Sequence, residues 1–206
     1  MAIPIFMTVQ EAWFLKDVEA TRLYTNLFGE TDTPIEIYNF YKKLETSKNY
    51  SLLISEIEDM CNKYDRPECY VLKGNLHMKM SKIEQAFDDY RDAIACNPNN
   101  AAYYAILGRQ YFRESNFHEA IEVFSYLIEH KKLLNYTYYV SHREFRLISA
   151  CCIGDWKIAK EDIDYLPDNF SIYTKPVKGI ITKKVLSKAI ENTEVIECHV
   201  PTSHLS

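Results

Sequence analysis

At 206 residues, with 47% apolar and 26% charged side chains, the chain is long enough to bury a sizeable core and ordinary for a soluble globular protein. A formal charge of −5 gives no basic footprint for nucleic acid or an anionic membrane, and only five glycines argue against a glycine-rich nucleotide loop. No segment approaches the roughly 20 uninterrupted apolar residues that span a bilayer, and the opening Met-Ala-Ile-Pro-Ile-Phe-Met lacks the basic stretch and the apolar length of a signal peptide. The expected location is therefore cytoplasmic.

Thr8-Val9-Gln10-Glu11 reads as a capping box opening a helix that carries Val9, Trp13, Leu15, Val18, Leu23 and Leu27, with Gly29 placed to end it. Residues 1–33 are thus expected to form an N-terminal capping helix. Residues 34–66 keep helical spacing at Ile37, Phe40, Tyr41 and Leu44, then at Leu53, Ile57 and Met60, which predicts a divergent helical hairpin.

The next two segments, 67–100 and 101–134, repeat with a period of 34 residues. The shift lays Tyr70 on Tyr104, Gly74 on Gly108, Ile83 on Phe117, Ala86 on Ala120 and Tyr90 on Phe124. Small residues let two antiparallel helices approach closely, while the large aromatic side chains fill the space between them. Asn97-Pro98-Asn99-Asn100 ends the first unit, because a proline after a helix turns the chain into the next element. The first unit departs from the second at Lys73, which stands where Leu107 does, and at His77, which stands where Tyr111 does.

Within residues 135–170 the stretch Gly154 to Ala159 repeats the inter-helix turn, with Ala159 on Ala120 and Trp156 on Phe117. That shift is 39 residues, so five extra residues fall around 134–139. The two helices are expected near 138–153 and 156–165, ending at Pro167. Residues 171–206 are read as a C-terminal capping helix and a frayed tail: Pro176 suits a first helical turn, and Val177, Ile181, Val185 and Ala189 recur every four residues. Fraying is expected from residue 195 onward.

The positions in 67–134 resemble the tetratricopeptide pattern W-x2-L-G-x2-Y, A-x3-F, P. The resemblance implies an all-α fold: antiparallel helical hairpins stacked as a short tetratricopeptide-type right-handed solenoid, with flanking helices at both ends. It also implies a non-catalytic adaptor or scaffold that holds a segment of another protein in a concave groove lined by the first helix of each unit. Carried over unit by unit, the partner-binding positions are Tyr38 and Lys42; Asn75, Met78 and Lys79; Arg109, Phe112 and Arg113; and Glu144. Arg109, Phe112 and Arg113 at i, i+3, i+4 are expected to offer two guanidinium groups beside a ring, which suits an acidic or aromatic segment. The carboxylate clamp of heat-shock co-chaperones does not fit. Asn75 matches it, but Val71, Ile106, Ser141 and Phe145 stand at the other clamp positions. Two other readings stand beside the adaptor: a dedicated chaperone of a secreted or assembly substrate, and a regulatory subunit of an enzyme.

Other groups read as structural. Six cysteines at irregular spacing, with no C-x-x-C, are expected to be thiols filling the core; the vicinal Cys151–Cys152 would need a further pair or a histidine for redox or metal work. Cys198, His199 and His204 are weighed as a metal corner and set aside, and neither a metal nor a cofactor is expected. His77 is read as a packed core histidine. Adjacent acids Asp88–Asp89 and Glu161–Asp162 point in different directions on a helix, so they cannot act as a dyad and are read as solvated.

Overall fold

The structure, a computed structural model, describes residues 34–130 and 140–198. The expected N-terminal capping helix and the extra residues around 134–139 lie outside them. The described residues are mostly helical and fall into two compact units divided between Pro98 and Asn99.

The first unit holds α1 (Ile35–Thr46), a 3-10 turn (Tyr50–Leu53), α2 (Ile54–Tyr64), α3 (Pro67–Lys79) and α4 (Ile83–Cys96). Pro67 opens α3 at a position where its missing N–H is no loss. Of the apolar positions read from the sequence, Ile37, Phe40 and Leu44 on α1, Leu53 in the turn and Ile57 and Met60 on α2 are buried, while Tyr41 is half-buried. In the second unit come α5 (Ala101–Arg113), α6 (Phe117–Glu129), α7 (Val140–Ile153) and α8 (Trp156–Asp162), which runs on as a 3-10 turn (Ile163–Tyr165). Asn100 caps α5 by accepting from the Ala102 N–H at 2.9 Å, and Asp155 caps α8 by accepting from the Ile158 N–H at 3.2 Å. Helices pack on their sequence neighbours: α3 on α4, α5 on α6, α6 on α7 and α7 on α8, while α5 also touches α7.

Three hairpins turn alike. Between α3 and α4, Ser81 takes φ 59°; between α5 and α6, Ser115 takes φ 64°; between α7 and α8, Gly154 takes φ 79°. In each, the next N–H reaches back to a carbonyl five residues earlier: Lys82 to His77 at 2.9 Å, Asn116 to Tyr111 at 2.8 Å and Asp155 to Ala150 at 2.9 Å. A left-handed non-glycine residue costs about 1–2 kcal/mol, so its return in two serines 34 residues apart marks a turn imposed by helix packing. The third turn follows the 39-residue offset that the sequence indicates.

Close helix approach explains the two helical glycines. A Cβ on Gly74 would lie 2.6 Å from Tyr90 Cε1, and one on Gly108 would lie 2.9 Å from Phe124 Cε1. Both rings are buried, so neither can swing aside.

The C-terminal region differs from the expectation. Ser171–Tyr173 (β1) and Ile180–Thr182 (β2) form an antiparallel hairpin with Ile172 opposite Ile181, and α9 begins only at Lys183, running to Asn192. Thr182 sets that start by accepting from the Val185 N–H at 3.2 Å. Val177 and Ile181 are buried from the hairpin, whereas α9 buries Leu186, Ala189 and Ile190 and leaves Val185 exposed. The four-residue spacing thus joins two different elements. Residues 194–198 are not frayed: Ile196 N–H donates to Cys151 O at 3.1 Å, and Cys198 bridges to Val177.

Candidate partner-binding surface

Between α3 and α4 the departures from the repeat form one cluster. Asp89 on α4 is 3% exposed; its Oδ2 lies 2.5 Å from His77 Nδ1 and its Oδ1 lies 3.0 Å from Lys73 Nζ. Lys73, His77 and Asp89 correspond to Leu107, Tyr111 and Val123 one period later. A cation and a histidine replace two apolar side chains on one helix, and a carboxylate replaces a third on its partner. The three changes compensate each other, as buried charge must. Asp88 next to it is 72% exposed and pairs with Arg91 at 2.6 Å, so only one acid of that pair is solvated.

The third hairpin makes a related substitution. Arg146 and Asp162 occupy the positions of Leu107 and Val123 under the 39-residue offset. Asp162 is fully buried and accepts from Arg146 Nε at 2.6 Å and Arg146 Nη2 at 2.8 Å; Arg143 Nη1 donates to the same carboxylate. Arg146 Nη1 also donates to Ser125 Oγ at 3.1 Å, and Glu161 adds a second carboxylate 3.9 Å from Nη2 at the solvent edge. Asp162, like Asp89, is therefore a buried anion and not the solvated acid expected. Arg143 stacks 3.8 Å from the centroid of the Tyr165 ring. The matching pair one hairpin earlier is Tyr104 on Tyr126, at 5.0 Å and 24° between planes. A cation over a ring takes the place of two stacked rings.

The groove positions named from the resemblance distribute as follows. In the first unit, Tyr38 lies on α1. Lys42 and Met78 are half-buried on α1 and α3. Asn75 accepts from the Tyr90 hydroxyl at 2.9 Å, so its side chain is engaged within the hairpin. Lys79 is exposed, pairs with Glu45 at 3.5 Å and stands 5.8 Å from the centroid of the Tyr50 ring. In the second unit, Arg113 is exposed at the end of α5 and Glu144 is half-buried on α7. Phe112 is a correction. It is 0% exposed and packs edge-on against Phe117 at 5.8 Å and Phe145 at 5.0 Å, because α7 lies against that face of α5. The ring beside Arg109 is instead Phe145, whose centroid is 4.9 Å from the guanidinium carbon.

On α7, His142 stacks on the Phe124 ring at 5.6 Å. Burial, with the positive charge of Arg109 as the lesser cause, pushes its pKa down to about 3. The imidazole is thus held neutral at ordinary pH. Among the described residues no helix is long and apolar enough to cross a membrane, and no three His, Cys, Asp or Glu side chains are grouped to hold a metal ion. Comparison with protein-family models, curated proteins and solved structures gave no match.

Proposed function

We propose that this chain is a non-catalytic tetratricopeptide-type repeat protein of the cytoplasm that holds a segment of a partner protein on the first helices of its hairpins. The observation that carries the reading is the turn repeated at Ser81, Ser115 and Gly154, with its N–H to C=O bond spanning five residues each time. Stacked hairpins of one geometry bury a continuous core and leave one helix of each pair to present side chains. In the second unit those side chains are Arg109, Arg113 and Glu144. Arg109 is braced on the Phe145 ring, so its guanidinium loses little freedom when a ligand arrives. Two cations suit an acidic segment, and bidentate guanidinium–carboxylate pairs would fix its register.

The test is charge reversal of Arg109→Glu together with Arg113→Glu, followed by affinity purification and mass spectrometry against the unaltered protein. The expected result is loss of the co-purified partner by at least about tenfold, equivalent to about 1.4 kcal/mol, with the thermal midpoint nearly unchanged. Retention of the same partner at full yield would refute the surface. So would loss of binding that comes together with melting of the fold. Phe112→Ala serves as a contrast, because a core residue should lower the melting point first.

A further inference from the structure

Along α7 the vicinal thiols Cys151 and Cys152 have no further sulfur at hand, but the fold supplies one from 46 residues downstream. After α9 the chain reverses at Thr193 (φ 55°), and Glu194 N–H donates to Ala189 O at 3.0 Å. The strap that follows is held on two sides. Ile196 N–H donates to the Cys151 carbonyl at 3.1 Å, while Lys178 N–H donates to Glu197 O at 3.1 Å and Lys178 Nζ meets Glu197 Oε2 at 3.0 Å. These anchors immediately precede Cys198, whose sulfur lies 3.1 Å from that of Cys152.

We infer that Cys152 and Cys198 form a reversible disulfide that fastens the 194–198 strap to the last turn of α7. The other thiols are placed differently. Cys151, Cys61 and Cys69 are buried, and burial alone pushes the Cys151 thiol up to about 12. Cys96 is exposed, and burial with nearby acids raises its pKa. Cys152 and Cys198 are both half-exposed, so a small oxidant can reach them. The contact between them divides their acidity: it draws the Cys198 thiol below its ordinary value, helped by Lys178 and opposed by burial, and it raises that of Cys152. Lys178, held to Glu197 beside Cys198, puts the nearer positive charge on that side of the pair, so Cys198 is assigned as the first nucleophile.

The oxidant class is a low-molecular-weight disulfide, for which oxidised glutathione serves as the probe. The Cys198 thiol gives its proton to solvent, and its thiolate attacks one sulfur of the probe. The probe's S–S bond breaks, one glutathione thiolate leaves, and a mixed disulfide remains on Cys198. Cys152 then loses its proton and attacks the Cys198 sulfur, expelling the second glutathione thiolate. Two protein thiols lose two electrons, and one external disulfide becomes two thiols.

Reduced protein incubated with oxidised glutathione at pH 8 and digested without reductant should yield one cross-linked peptide joining Cys152 to Cys198, with an intact mass lower by about 2 Da. Closing a loop of that length should raise the thermal midpoint by about 5 °C or more. Cys152→Ser should instead trap a stable glutathione adduct on Cys198, and neither it nor Cys198→Ser should show the rise. A cross-link between Cys151 and Cys152, or between Cys61 and Cys69, in place of this one would overturn the assignment. So would folded protein that keeps all its thiols under excess probe. Peptide mapping of the unaltered protein decides the matter even if a serine variant fails to fold.

Discussion

The hairpin of α3 and α4 and the hairpin of α5 and α6 share a turn, a helical glycine under an aromatic ring and a 34-residue offset, yet their interiors are held by different forces. At one set of positions the first has Lys73, His77 and Asp89, and the second has Leu107, Tyr111 and Val123. The backbone is the same with either chemistry inside. What the repeat demands is therefore the close approach at Gly74 and Gly108 and a filled, satisfied interior. The nature of the filling is negotiable only when all members change together.

Breaking the charged interiors one member at a time should give the largest effects. Asp162→Ala strands Arg143 and Arg146 below the surface, and we expect it to cost about 3–5 kcal/mol in denaturant unfolding. Copying the middle hairpin with Arg143→Tyr, Arg146→Leu and Asp162→Val should restore most of that loss; failure to do so would mean the ions contribute beyond mutual compensation. Asp89→Val alone should cost about 2–3 kcal/mol, less because Lys73 can turn its ammonium toward water. Adding Lys73→Leu and His77→Tyr should return stability to near the starting value by the same measurement.

Gly74→Ala sharpens the shared part. A methyl 2.6 Å from a buried ring should cost about 1–3 kcal/mol of overpacking, offset by the roughly 1 kcal/mol of helix propensity alanine regains over glycine. Gly108→Ala, with its closest contact at 2.9 Å, should cost less. An equal or reversed order would show that the two interiors yield differently.

The last effect is small at any one pH step and shows as a slope with pH. His142, aligned with Tyr103 under the 39-residue offset, has a folded pKa of about 3, below its ordinary value of 6.5. The unfolded chain binds the proton first, so stability is complete above pH 6.5 and declines as pH falls toward 3, by at most about 1.4 kcal/mol per pH unit. Denaturant midpoints measured across that range should show the decline, and His142→Tyr should remove this share of it.

How much of this was legible depends on the distance over which a signal acts. The hairpins α3–α4 and α5–α6 announce themselves because small and aromatic residues return at a fixed offset, and the third follows once Ala159 is laid on Ala120. The sequence suggests a packed His77, which the structure buries, but not its partners, because Lys73 looks like a weakness of the repeat and Asp89 pairs by adjacency with the solvated Asp88. Reading position by position across the repeats would have exposed the trio, because the acid stands where the better-matching unit has Val123. The strands β1 and β2 were missed because apolar residues every four positions also fit alternate positions of a strand at Ile181. Phe112 was assigned outward because the pattern gives a register but not the girth of the next helix. Contact between Cys152 and Cys198 spans 46 residues and carries no local pattern at all.

Look-alike hairpins in one chain are prone to pairing with the wrong neighbour while they fold. Here α3 closed against α6 would set Lys73 and His77 beside Val123, and α5 closed against α4 would set Asp89 beside Leu107 and Tyr111. The first mistake deprives Lys73 and His77 of their carboxylate, and the second entombs Asp89 with nothing to answer it. The order charged, apolar, charged along the chain thus sets a penalty on exchange between adjacent hairpins, each helix finding its complement in the one next to it.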